Sequence, residues 1–67
     1  MKRRRTLTER QQEVLAFLVQ GNTMREVATI LKITPRTVAF HKYRMMSALK
    51  LSSNAALIRY AIKRGIG

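Results

Sequence analysis

Four helix-start signals fall within 67 residues, so the chain is committed to a series of short helices before any question of packing arises. Thr8 stands three residues before Gln11, and Thr23 three before Glu26. In this capping-box spacing the threonine oxygen accepts an otherwise unpaired backbone N–H of the first turn, and the Gln or Glu reaches back to the N–H of the cap residue. Thr34 is followed by Pro35, a hydroxyl cap and then a ring whose missing N–H costs nothing in a first turn. Ser52 or Ser53 opens the last segment, which closes with Lys63 and Arg64, complementing the helix dipole, ahead of Gly65. Gly21 offers the left-handed conformation that ends many helices. The signals predict helices over about residues 9–20, 24–31, 35–50 and 54–64, with no strand pattern, repeat or low-complexity tract between them.

An all-α domain of this size buries only about 60% of the surface its unfolded chain exposes. The usual reinforcements are missing, since there is no cysteine, and one histidine with three acidic residues cannot assemble a zinc cage. Helix packing has to carry the fold. Val14, Leu15 and Leu18, with Phe17 beside them, recur at helical spacing in the first helix, as do Val27, Ala28 and Leu31 in the second. Ala28 is small enough to let a following helix cross closely. Residues 32–34 are the whole connection to the third helix, so the two cross steeply, and Ile33 is expected to plug the junction. In the third helix Val38, Met45 and Leu49 share the core side, with His41 and Ala48 at its edge. The fourth carries more apolar surface than one small core needs: Ala55, Ile58 and Ile62 form one stripe, Leu57 and Ala61 another, and Tyr60 lies off both.

Lys and Arg number 14 against 3 acidic residues, a net charge of +11, which is a field that seeks a polyanion. A solubilising surface would intersperse both signs. A membrane-active peptide would need one long amphipathic helix, which the four start signals interrupt, and no apolar run approaches the roughly 20 residues of a membrane span. Nucleic acid remains, and the absence of cysteine suits a reducing cytoplasm. His41 has no cysteine, carboxylate pair or second histidine near it in sequence, so neither catalysis, a metal nor a cofactor is expected.

At about 100° per residue, Phe40 lies about 200° round the third helix from Val38, grouped with Arg36, Thr37, Tyr43, Arg44 and Ser47. The face turned from the core is thus basic, hydroxylated and aromatic. A tight two-helix corner with such a face reads as a helix-turn-helix, whose second helix enters the DNA major groove. Phe40 either packs on a neighbour or, the reading favoured here, meets thymine methyl groups or sugar edges. Tyr43, one turn on, can touch a base or a phosphate or pack on a neighbour, and Arg44 can pair with guanine O6 and N7 or, the more frequent outcome for arginine, hold a phosphate. Phosphate contacts are assigned to Thr34, Arg36 and Thr37 at the helix start and to Lys42 nearer the core side, while Arg25 and Lys32 on the flank either hold phosphates or are simply solvated. Residues 1–6 form a basic arm or the remnant of a linker, able to add a minor-groove contact.

The stretch from "LTERQQEVL" through "EVATILKITPRTV", with His41 three residues after Val38 and "AALIRYA" near the end, resembles the LuxR-type, or GerE-like, DNA-binding domain over residues 7–65. The resemblance implies a four-helix helix-turn-helix and a bacterial transcription regulator's effector domain, usually the last part of a longer chain with a receiver or ligand-sensing domain, although some relatives consist of this module alone. It also implies a cytoplasmic, nucleoid-associated protein that dimerises through its last helix, here Ala55, Ile58, Arg59 and Ile62, on paired half-sites, with RNA polymerase as a further partner. The chain departs from the family at Gln11, Met24, Ala56 and Lys50, the last standing where glycine often separates the final helices. Ala39 occupies a position from which longer side chains approach bases, so it joins the base-facing set while readout shifts to its neighbours. A sigma-factor region-four-like domain shares the tight basic corner but is less well matched by the histidine after "TVAF" and by the capped fourth helix.

Overall fold

A computed structural model describes residues 7–66. Its four helices are α1 (Glu9–Val19), α2 (Met24–Leu31), α3 (Pro35–Leu49) and α4 (Asn54–Lys63), and the described residues contain no strand. Both capping boxes are formed: Gln11 N–H donates to Thr8 Oγ1 at 3.1 Å while Thr8 N–H donates to Gln11 Oε1 at 2.9 Å, and Thr23 and Glu26 repeat the exchange at 2.8 and 3.1 Å. Thr34 accepts the N–H of Thr37 at 3.1 Å. Of the two serines that could open α4, Ser53 is the cap, accepting the N–H of Ala56 at 3.1 Å. The basic segment before Leu7 lies outside the described residues.

All four helices end in the same way. A residue in the left-handed region, Gly21, Lys32, Lys50 or Gly65, turns the chain so that the next N–H reaches back five residues. Asn22 thus bonds to Phe17 O, Ile33 to Ala28 O, Leu51 to Met46 O and Ile66 to Ala61 O, at 2.9 to 3.2 Å. These bonds satisfy carbonyls that the helix leaves without partners. Ile33, Leu51 and Ile66 then fold back onto the core. Helices α1, α3 and α4 therefore stop one residue short of the ends that spacing predicts, because Gln20, Lys50 and Arg64 already belong to the closing turns.

α3 packs on both α1 and α2, and α4 packs on α1. Between them lie Leu7, Val14, Leu15, Val27, Ala28, Val38, Met45, Leu57 and Ala61, all buried, with no buried polar or charged side chain among the described residues. Each fully enclosed aliphatic side chain contributes about 1.5–3 kcal/mol. The two stripes of α4 separate cleanly: Leu57 and Ala61 enter the core, whereas Ala55 and Ile62 face solvent and Ile58 is half-buried. Two expectations change. Ala48 is exposed rather than at the core edge, and Leu7 and Ile66, outside the predicted helices, pack in and on the core.

Candidate nucleic-acid interface

The core fixes which way α3 faces. Val38 and Met45 have no exposed surface, and with that side locked, Arg36, Phe40, Tyr43, Arg44 and Ser47 are all exposed on the other. Phe40 is 56% and Tyr43 59% exposed. Thr37, Ala39, His41 and Lys42 lie between the two sides, half-buried. Ala39 therefore offers only part of a methyl group to anything that approaches.

Each exposed ring has a cationic neighbour on the same helix. The Arg44 guanidinium lies 5.5 Å from the Phe40 ring centroid, and His41 meets the same ring edge-on at 5.8 Å and 66°. Lys42 Nζ stands 5.5 Å from the Tyr43 ring centroid. Cation–ring contacts at exposed sites contribute about 0.5–1 kcal/mol each, enough to bias a side chain without fixing it. At the start of α3 the hydroxyls of Thr34 and Thr37 are 2.9 Å apart. Their oxygens sit beside the positive end of the helix dipole, where an anion is favoured.

Charge is divided along the chain. Glu9, Glu13 and Glu26 all fall on α1 and α2, while no acidic residue follows Glu26. Glu13 pairs with Arg10 at 3.4 Å, and Glu26 is engaged by the N–H of Thr23. Arg25 and Lys32 are exposed at the α2 side of the corner. α3 and α4 themselves carry only basic charge, which suits contact with a phosphate backbone. On α4, Arg59 is exposed next to the outward stripe of Ala55, Ile58 and Ile62, and Ile62 is 64% exposed.

Residues 5–61 match the family model described as bacterial regulatory proteins, luxR family. The chain belongs to the luxR family. It is 38% identical over 65 residues to the transcriptional regulatory protein FixJ of Rhizobium meliloti, covering 97% of this chain and 32% of that protein. It is 37% identical over 60 residues to the transcriptional regulatory protein MctR of Rhizobium johnstonii, covering 90% of this chain and 28% of the relative. The response regulator UvrY of Escherichia coli is 30% identical over 61 residues, 91% of this chain and 28% of its own length. The chain thus spans about a third or less of these relatives. As a luxR-family helix-turn-helix it is a DNA-binding module of transcription regulation, not an enzyme.

Sequence spacing separates the outward face of this luxR-family helix from its core side, but it does not reveal the ring–cation pairs, which depend on rotamers. Nor does a search for glycines find the left-handed lysines that end α2 and α3. The signal that could have found them is an apolar residue directly after a polar one at the end of a helical pattern, "KI" at 32–33 and "KL" at 50–51.

Proposed function

We propose that the chain binds double-stranded DNA sequence-specifically by laying the outward face of α3 in the major groove. The observation that carries this reading is the joint exposure of Arg36, Phe40, Tyr43 and Arg44 on a helix whose opposite side is locked in the core. Phe40, Tyr43 and Arg44, with the small Ala39 among them, face base edges. Thr34, Arg36, Thr37 and Lys42 hold phosphates near the start and flank of α3, and Arg25 and Lys32 do so from α2 and the turn.

Two copies bind together on paired half-sites, joined through Ala55, Ile58, Arg59 and Ile62 of α4. The outward apolar stripe of that helix supports this, and a two-fold pair sets two copies of α3 about one turn of DNA apart. One short helix offers less than a standard interface, so the duplex brings the copies together. The chain acts as the effector part of a longer regulator in the bacterial cytoplasm, on the nucleoid, with RNA polymerase as its second partner. The shares of its relatives that it spans support a place within a longer regulator.

Salt titration on a bound duplex tests the electrostatic part. With about six phosphates neutralised, affinity is expected to fall by roughly a thousandfold or more between about 50 and 200 mM salt. Arg36→Ala and Arg44→Ala are each expected to weaken binding by about tenfold with helicity unchanged by circular dichroism. Binding indifferent to both substitutions would show that another surface meets the DNA.

A further inference from the structure

Arg44 and Phe40 are not independent side chains. They stand four residues apart, one above the other on the helix, with the guanidinium carbon 5.5 Å from the ring centroid. His41 braces the same ring from its other neighbour position, yet 56% of Phe40 remains open. A ring biased toward one orientation before binding loses less freedom when a ligand arrives. Arg44, for its part, leans on a π-face, which takes no N–H donor away from a later acceptor in the groove.

The major groove contains one apolar group, the C5-methyl of thymine, and one pair of acceptors suited to a guanidinium fork, O6 and N7 of guanine. Bases along a strand are spaced by roughly 3.4 Å, so two groups held 5.5 Å apart reach positions one or two steps apart. We propose that Phe40 and Arg44 form a single reading unit for a C5-methylated pyrimidine lying within two base pairs of a guanine. The methyl seats against the Phe40 ring while Arg44 pairs with the guanine. This rests on α3 entering the major groove, and it adds the chemical group that is read and the coupling of the two residues. Because the methyl itself is read, 5-methylcytosine presents the same feature as thymine, and cytosine methylation at that position strengthens binding.

Duplexes selected from a random pool by the 67-residue chain supply the probe. Each thymine is replaced in turn by deoxyuridine, which lacks only the methyl, and Kd is measured by fluorescence anisotropy. One thymine near a guanine in each half-site is expected to lose about fourfold on replacement, the value of one buried methyl group. Cytosine in its place is expected to regain a similar factor when methylated. Phe40→Ala binds the thymine and uracil duplexes equally, and Arg44→Lys, which keeps the charge, shrinks the uracil effect along with the guanine preference. Circular dichroism confirms that the variants fold, since neither side chain is in the core.

A full uracil penalty persisting in Phe40→Ala overturns the role of the ring. Uracil and guanine effects that vary independently in Arg44→Lys overturn the coupling. A selected, sequence-specific site indifferent to every uracil replacement overturns methyl reading while leaving α3 in the groove. If no duplex is selected at all, it is the docking of α3 that fails.

Discussion

Thr34 joins fold and site through one hydroxyl. It accepts the N–H of Thr37 and lies 2.9 Å from the Thr37 hydroxyl, so the turn that carries Arg36 is held by the same oxygen that we propose meets a phosphate. Thr34→Ala is expected to lower stability by about 1 kcal/mol in urea denaturation and to weaken duplex binding as well, while Thr34→Ser restores most of both. Unchanged stability would mean that the cap contributes nothing here. The Thr34 cap, the start at Pro35 and the outward placement of Phe40 are legible in the sequence because caps and helical period depend on identity and spacing alone. The partial burial of Ala39 is not, since it depends on how α3 seats against its neighbours.

At the scale of elements, two helices end on lysines in a conformation that costs a residue with a Cβ about 1–2 kcal/mol. Lys32 has φ 60° and Lys50 φ 57°. Lys50 thus adopts a backbone conformation that glycine takes without strain. Lys50→Gly is expected to raise stability by about 0.5–1 kcal/mol after the added freedom of the unfolded chain is counted. Lys32→Gly is expected to do the same while weakening duplex binding, because the turn before α3 loses a cation. Urea midpoints read the first effect and anisotropy the second; a Lys32→Gly variant that binds DNA as tightly as before would remove that lysine from the interface. Glycine-based reading finds Gly21 and Gly65 but passes over these lysines. Ile33 and Leu51, pulled inward by the core, are what make the left-handed turns worth their strain.

The whole molecule is built as a small core with two outward surfaces, the α3 face and the α4 stripe. The fold class is legible from four caps and four apolar patterns. The two α4 stripes are legible too, but spacing does not say which enters the core, because Leu57 and Ile58 compete for it and only packing decides; the structure gives the core to Leu57 and Ala61. Ile58 stays half-buried and Ile62, at 64% exposed, lies outside the core. Ile62→Asn is therefore expected to leave the stability read from urea denaturation within about 0.5 kcal/mol of the parent while abolishing the tighter binding of a paired site over a single half-site in band-shift titrations. Retained preference for the paired site would place the contact between copies elsewhere. The central claim, that α3 lies in the major groove, is tested most directly by dimethyl sulfate probing of a selected duplex, because the reagent marks guanine N7 in the major groove and adenine N3 in the minor groove. Protection of guanine N7 within each half-site, lost in Arg44→Ala, is the predicted result. Protection confined to adenine N3, or none on any duplex, would contradict it.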